Sequence, residues 1–283
     1  MAKVYDALKR AEEERNRLIG DEENRAAPLQ VEPAGPAAER GDRKRFWQRA
    51  AGTLSHRPRP DGSAEINKRR IALLQPDSYV AEQFRALRGR IDAIAAQRSI
   101  RTVSVTSAFP GEGKTTCAVN LSIVTSLSLN RRVLLIDCDL RRPKIHQSLA
   151  LRPKTGLAEV LTGDATIDDA ILQPEGIDLD VLPVRGKPSN PSELLGSPEM
   201  KKLIEEVSNR YDRIIIDTPA ALGLPDAKVV SDICDGMVLV VRADSTGQAE
   251  IQAVLETLDR RRILGLLING VDSTQGRYGY AGY

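Results

Sequence analysis

The sequence lacks the features that would carry a protein into or across a membrane. Its 283 residues contain no stretch that approaches the ~20 consecutive apolar residues of a membrane-crossing helix. The first residues, from Met1 to Asp6, lack the apolar core of a signal peptide. We therefore expect the protein to be cytoplasmic.

Cysteine and net charge are also scarce. The three cysteines, Cys117, Cys138 and Cys234, are widely spaced in apolar surroundings, which predicts buried thiols and not a disulfide or zinc framework. The formal net charge is only +2, so we expect no general attraction to nucleic acid. The hydrophobic fraction of 41% and the charged fraction of 28% are ordinary for a globular protein.

Proline content and hydrophobic periodicity divide the chain into four parts. Residues 1–20 form a short charged helical pattern. Residues 21–75 contain five of the 16 prolines and lose periodicity, which predicts a disordered linker. Residues 76–272 are expected to form the main folded domain. Residues 273–283, rich in glycine and tyrosine, are expected to form a tail.

Within residues 76–272, apolar strand-like runs alternate with helical patterns. Near-continuous Val, Ile and Leu strands separated by helices are typical of a parallel sheet covered on both faces. We therefore predict an α/β fold of the P-loop NTPase type with a mostly parallel β-sheet. The predicted strands are 102–107, 132–137, 179–183, 213–217, 237–242 and 264–268, and the principal helices are 78–97, 115–129, 197–209 and 246–260.

A phosphate-binding loop is predicted at residues 108–116, Ala-Phe-Pro-Gly-Glu-Gly-Lys-Thr-Thr, between a strand and a helix. Gly111 and Gly113 would let backbone N–H groups turn inward around phosphate oxygens. Lys114 would reach the β- and γ-phosphates, and the Thr115 hydroxyl would bind Mg²⁺. The residues predicted to hold the nucleotide are Gly111, Glu112, Gly113, Lys114, Thr115 and Thr116.

Carboxylates stand at the ends of two predicted strands. Asp137 and Asp139 follow one apolar run, and Asp217 ends another. An aspartate there can cap a helix or form a turn, but ligands of open α/β sheets bind at these strand ends. We predict that Asp137 and Asp217 bind Mg²⁺ together with Thr115. Arg141 either stabilises the transferred phosphoryl group or pairs with a nearby acid.

The expected nucleotide is ATP. A guanine-specific site usually carries Asn-Lys-x-Asp after a late strand, whereas residues 269–272 read Asn-Gly-Val-Asp. Asn269 is a candidate contact to the base, and a turn-forming role is equally compatible with its position.

Taken together, these segments resemble the bacterial tyrosine kinases of exopolysaccharide and capsule assembly, which have P-loop folds. The resemblance covers roughly residues 76–283. The segments at 4–11 also resemble the subgroup paired with exosortase-type polysaccharide systems. The family's motifs appear in order as the phosphate loop at 108–116, Asp-x-Asp-x-Arg at 137–141, Asn-Pro-Ser-Glu-Leu-Leu at 190–195, Asp-Thr-Pro at 217–219 and a terminal tyrosine cluster.

The resemblance implies an autokinase that uses ATP and Mg²⁺ to phosphorylate its own tail, between subunits of a ring. The implied acceptors are Tyr278, Tyr280 and Tyr283. A tyrosine hydroxyl has a pKa near ~10 and needs help to lose its proton, so Asp137 or Asp139 is the candidate base.

The resemblance also implies partners. Glu82, Arg85 and Arg88 match the family's oligomerisation helix, although their spacing also allows an intramolecular pair on a solvated face. A separate membrane chain-length or co-polymerase protein would activate the kinase and hold it peripherally at the inner face of the cell membrane. A tyrosine phosphatase would reset the tail.

Two departures and two alternatives accompany this resemblance. The family's Asp-x-Pro-Pro becomes Asp-Thr-Pro-Ala at 217–220, and the tail has only three tyrosines. Partition and septum-placement ATPases share the fold but carry an additional lysine near the start of the loop, where Phe109 stands here. A nucleotide-switched assembly scaffold is the non-catalytic alternative, and the intact Lys114 and Asp217 argue against it.

Overall fold

A computed structural model of the protein describes residues 70–128 and 131–271. The predicted helix at 1–20, nearly all of the predicted linker and the tail at 273–283 lie outside the described residues. No helix in the described part of the chain is long and apolar enough to span a bilayer.

The described strands form one six-stranded sheet in the order β3-β2-β4-β1-β5-β6, and all of its pairings are parallel. This confirms the predicted α/β class. The two central strands, β1 and β4, begin and end where the sequence predicted. The strands are β1 Thr102–Ser107, β2 Val133–Asp137, β3 Asp180–Leu182, β4 Arg213–Asp217, β5 Gly236–Arg242 and β6 Ile263–Asn269.

Helices cover both faces of the sheet. Successive strand residues point to opposite faces, so the apolar side chains of each strand pack against helices on both sides. Leu135 and Ile215 pack in one core cluster with residues of the long helices that precede and follow β1. Leu134 and Ile214 pack in a second cluster on the other face. The helices are α1 Ile71–Leu74, α2 Tyr79–Ala95, α3 Lys114–Ser126, α4 Ile145–Ser148, α5 Leu157–Thr162, α6 Ile167–Ala170, α7 Pro191–Leu195, α8 Pro198–Arg210, α9 Asp226–Asp232 and α10 Gln248–Thr257, with a 3₁₀ turn at Arg260–Arg262.

The predicted linker extends too far towards the C-terminus. Within residues 21–75, the segment Ile71–Leu74 forms α1, and Ala72 in it is fully buried. The backbone N–H of Ala72 donates to Oδ1 of Asn120 in α3 at 2.9 Å. A single helical turn is too short to show a periodic pattern, and its stability comes from this tertiary contact. The ordered domain therefore begins before Pro76.

Candidate nucleotide-binding and phosphotransfer site

The predicted phosphate loop connects β1 to α3, and its glycines are required by the backbone. Gly111 and Gly113 have φ of +93° and +99°, in the left-handed region that side chains disfavour. A Cβ on Gly113 would also lie 2.0 Å from Nδ2 of Asn269. Helix α3 begins directly afterwards at Lys114, so its first N–H groups face the loop.

Glu112 holds the loop from within. Its side chain is buried, and Oε2 accepts from the backbone N–H of Phe109 at 2.9 Å. The other oxygen, Oε1, accepts from the hydroxyl of Thr246. Both oxygens of this carboxylate therefore accept hydrogen bonds that help to fix the conformation of the loop. Glu112 does not line the cavity described below. A contact from Glu112 to nucleotide would have to come from its backbone.

Two residues at the ends of β5 and β6 donate hydrogen bonds to carbonyl groups of the loop. Asn269, at the end of β6, donates from Nδ2 to the carbonyl oxygen of Glu112 at 2.8 Å. Arg242, at the end of β5, donates from Nη1 to the carbonyl oxygen of Gly111 at 3.0 Å. The sequence singled out Asn269 but not Arg242 or Thr246, since neither belongs to a recognisable motif.

Lys114 lies between two carboxylates. Its Nζ is 2.8 Å from Oδ2 of Asp139 and 3.9 Å from Oδ1 of Asp217. Burial opposes the charge on this amine, but the neighbouring Asp217 and Asp139 outweigh it and raise the pKa of Lys114. The lysine is therefore a fixed positive charge at neutral pH.

Asp137 and Asp217 are paired across adjacent strands, and both are fully buried. Burial raises the pKa of Asp137, and the nearby Asp217 raises it further. Burial also raises the pKa of Asp217, while Lys114 and the Thr115 hydroxyl moderate the rise. When both carboxylates are ionised they repel each other, and a bound cation would reduce that repulsion.

The carboxylate of Asp137 is fully engaged with the backbone. Oδ1 accepts from the N–H of Asp139 at 3.1 Å, and Oδ2 accepts from the N–H groups of Lys144 and Ile145, each at 3.2 Å. Asp139 continues this pattern, since its Oδ1 accepts from the N–H of Arg142 at 3.0 Å. The loop after β2 is thus fastened to its own two acids.

The oxygens around Asp217 fit a magnesium ion. The Thr115 hydroxyl donates to Oδ2 at 2.6 Å, and Oδ1 is buried with no hydrogen-bond partner among the described residues. Hydroxyl and carboxylate oxygens are the ligands that Mg²⁺ prefers, and Mg²⁺ usually keeps water and substrate phosphates as its other ligands. The described part of the chain holds no group of three or more His, Cys, Asp or Glu that could hold a metal ion.

Arg141 pairs with an acid, which is one of the two roles considered for it. Nε contacts Oδ2 of the buried Asp226 at 2.7 Å, and Nη2 donates to the hydroxyl of Ser192 at 2.8 Å. Ser192 in turn donates to Oδ1 of Asp226 at 2.6 Å. This triad ties the loop after β2 to α7 and α9. Asp226 was not predicted, because an aspartate beside a helix start gives no signal of its own.

A cavity of about 700 Å³ joins these groups. This volume suits a nucleotide, because small-molecule sites are typically ~300–1,000 Å³. Its lining includes the glycines of the loop, Lys114, Thr115, Thr116, Asp139, Arg141, Arg142, Lys144, Pro219, Ala220, Leu222, Leu224, Arg242 and Asn269.

The predicted oligomerisation residues lie on α2. Glu82 and Arg85 form an ion pair with each other on an exposed part of the helix. Arg88 donates from Nη1 to the carbonyl oxygen of Val124 at 2.6 Å and to the hydroxyl of Ser128 at 2.7 Å. Arg88 is therefore anchored within its own subunit. A contact between subunits stays a prediction, as does the role of the tail tyrosines 278, 280 and 283, which lie outside the described residues.

Known proteins similar to this chain include several tyrosine kinases. A family model described as an AAA domain matches residues 100–263. The tyrosine-protein kinase YwqD of Bacillus subtilis is 36% identical over 79% of this chain and 95% of YwqD. The succinoglycan biosynthesis transport protein ExoP of Rhizobium meliloti is 34% identical over 74% of this chain, which spans only 27% of ExoP.

Among the solved structures, a tyrosine kinase domain matches this chain better than a septum-placement ATPase does. The kinase domain of the Escherichia coli tyrosine kinase ETK matches with a TM-score of 0.69 and 31% identity, covering 75% of this chain and 84% of that domain. The septum site-determining protein MinD of Pyrococcus horikoshii, solved with Mg-ADP, matches with a TM-score of 0.51 and 27% identity, covering 59% and 69%. The septum-placement class shares the fold at a greater distance.

Proposed function

The chain belongs to the bacterial tyrosine-protein kinases of exopolysaccharide biosynthesis, and we propose that it transfers the γ-phosphoryl group of ATP to Tyr278, Tyr280 and Tyr283 of its own C-terminal segment. Transfer occurs between subunits of a homo-oligomer. The observation that carries this proposal is the placement of Lys114 between Asp139 and Asp217 at the end of a glycine-shaped loop.

Different residues would bind the phosphates and the magnesium ion. The backbone of the loop and the N–H groups at the start of α3 receive the phosphates, and Asn269 and Arg242 hold the loop in shape. Thr115 and Asp217 would hold Mg²⁺ directly. Asp137 would act through water, because both of its oxygens already accept from backbone N–H groups. Bound Mg-ATP supplies the transferable phosphoryl group and the cation that screens its charge.

Asp139 is the better candidate for the base that receives the tyrosine proton. It lines the cavity, whereas Asp137 is fully enclosed. Among the described residues, its Oδ2 accepts a hydrogen bond only from Lys114. When Lys114 turns towards a phosphate, this oxygen becomes free to accept the proton of the tyrosine hydroxyl. Lys114 then balances charge on the transferred group.

We also propose the partners of the reaction. The relatives of this chain include YwqD, which it covers to 95%, and the transport protein ExoP, which it covers to 27%. A separate membrane chain-length or co-polymerase protein would activate this kinase and hold it at the inner face of the membrane. A tyrosine phosphatase would reverse the modification.

The direct test is to incubate the full-length protein with ATP and Mg²⁺ and to map phosphotyrosine by mass spectrometry. The modification should fall on the tail tyrosines. A matched variant with Tyr278, Tyr280 and Tyr283 changed to Phe should lose it and keep its fold. Phosphate confined to Tyr5, Tyr79 or Tyr211 would refute the tail as the acceptor.

A further inference from the structure

A second cavity, the basic pocket, lies between the loop after β2 and the loop after β3. Its volume is about 460 Å³. Four cationic side chains line it: Arg142 and Lys144 from the first loop, and Arg185 and Lys187 from the second. His146 completes the wall, and no carboxylate lines the pocket among the described residues. The pocket is therefore strongly electropositive.

Three of these four cations form no ion pair with an acidic residue in the described part of the chain. Only Arg185 has an acidic partner in the described part of the chain, with its Nε 2.8 Å from Oε1 of Glu159. Arg142, Lys144 and Lys187 form no ion pair there. Like charges gathered in one place repel each other, and an anion that enters between them removes the repulsion.

The backbone that displays two of these cations is held in place. Asp139 accepts from the N–H of Arg142, and Asp137 accepts from the N–H of Lys144. Because the backbone is already fixed, less conformational entropy is lost when an anion binds. The same two acids thus organise the nucleotide cavity and the edge of the basic pocket.

The basic pocket adjoins the nucleotide cavity, since Arg142 and Lys144 line both. A peptide segment that presents a tyrosine to the first cavity has the second one beside it. We propose that the basic pocket binds phosphotyrosine of the C-terminal segment after phosphate has been transferred. This inference rests on the proposed function.

Phosphotyrosine matches the chemistry of the pocket. A phosphate monoester carries about −1.5 to −2 charges near pH 7, and arginine can bind it through two parallel hydrogen bonds. In an extended chain, tyrosines two or three residues apart are separated by roughly 7–10 Å. One phosphorylated side chain held in the pocket therefore keeps the next tyrosine beside the adjoining nucleotide cavity. The kinase then modifies the same tail repeatedly before releasing it.

The test uses full-length protein treated with phosphatase and kept free of ATP. Binding is measured by fluorescence anisotropy with a synthetic peptide of residues 272–283, either unmodified or phosphorylated at Tyr283. The phosphopeptide should bind at least tenfold more tightly than the unmodified one. The double variant Arg185→Ala/Lys187→Ala should weaken phosphopeptide binding at least fivefold. The matched control Lys201→Ala/Lys202→Ala, which removes two exposed cations from α8, should bind normally.

Several outcomes would overturn the proposal. These are equal binding of both peptides, equal losses in the two double variants, or displacement of the phosphopeptide by an equal concentration of inorganic phosphate. Another is a dependence on Arg185 and Lys187 seen only with phosphatidylglycerol vesicles, which would assign the pocket to a membrane surface.

A kinetic arm separates this proposal from the function on which it rests. With ATP and Mg²⁺, the Arg185→Ala/Lys187→Ala protein should make the first phosphotyrosine at the normal rate and then accumulate singly modified tails. An unchanged distribution of products would count against the pocket. If the unaltered protein makes no tail phosphotyrosine, the proposed function fails, and peptide binding still judges the pocket.

Discussion

The hydroxyl of Thr115 and the carboxylate of Asp217 meet at 2.6 Å, across 102 residues of sequence. The contact joins the first turn of α3 to the end of β4. It occupies one carboxylate oxygen and leaves the other buried without a hydrogen bond among the described residues. The fold itself therefore holds these two groups together, and burial of the oxygen without a partner has a cost to stability that substitution can reveal.

The first prediction concerns that cost. Burial raises the pKa of Asp217, so the folded protein binds this proton more tightly than the unfolded chain does. The contribution of Asp217 to the free energy of unfolding is then greatest below the ordinary pKa of ~4 and is lost as pH rises through the raised value. Asp217→Asn should raise the thermal midpoint of nucleotide-free protein at pH 8, by about 2–4 °C per kcal/mol recovered.

The gain should shrink at pH 5, where the native carboxyl is largely protonated. The variant should also lose the additional stabilisation by ATP that depends on Mg²⁺. Asp178→Asn, at an exposed carboxylate, is the control and should change neither quantity. An equal gain at both pH values would contradict the burial argument.

The second prediction compares two glycines. Gly113→Ala places a side chain at φ +99° and against Asn269, so it should lower stability by about 1–2 kcal/mol and weaken nucleotide binding. Gly89→Ala, in the middle of α2 with open space around it, should raise stability by about 0.5–1 kcal/mol. Chemical denaturation measures both. A Gly113→Ala protein as stable as the unaltered one would mean that the left-handed loop is not a constraint.

The third prediction addresses transfer between subunits. Inactive Lys114→Met protein with an intact tail is mixed with active protein whose Tyr278, Tyr280 and Tyr283 are changed to Phe. Phosphotyrosine should appear on the inactive partner, because its tail reaches the other subunit's site. If the full-length enzyme modifies itself but this mixture stays unmodified, the reaction takes place within one subunit.

The fourth prediction separates assembly from stability on α2. Arg88→Ala removes two hydrogen bonds to the end of α3 and should lower stability by about 1–3 kcal/mol. Glu82→Ala/Arg85→Ala removes an exposed pair and should cost less than ~1 kcal/mol. If α2 joins subunits, the double variant should still lower the mass measured by light scattering. An unchanged mass, with oligomeric wild type, would remove Glu82 and Arg85 from the interface.

The sequence predicted most accurately what is local. The bounds of β4 follow from a run of three isoleucines, those of β1 from β-branched residues before the loop, and the phosphate loop follows from a strand, two glycines and a lysine. The acids at strand ends were also singled out in the sequence. The carboxyl ends of parallel strands lie at one edge of the sheet, where ligands bind.

What the sequence did not predict depends on residues far apart in the chain. Arg242 and Thr246 reach the loop from about 130 positions away, and Asp226 meets Arg141 across 85. Each is an ordinary polar residue until the sheet order places it. The short helix α1 was missed for the same reason, since its stability depends on burial against α3.

The contact between Asn269 and the phosphate loop also bears on where a working fragment can end. The sequence similarity to the AAA domain stops at residue 263, at the first residue of β6. A protein cut there would lose the rest of an edge strand and, with it, the amide that fastens the carbonyl of Glu112. The smallest fragment that retains an intact loop therefore extends through Asn269, six residues beyond the boundary that similarity alone would suggest.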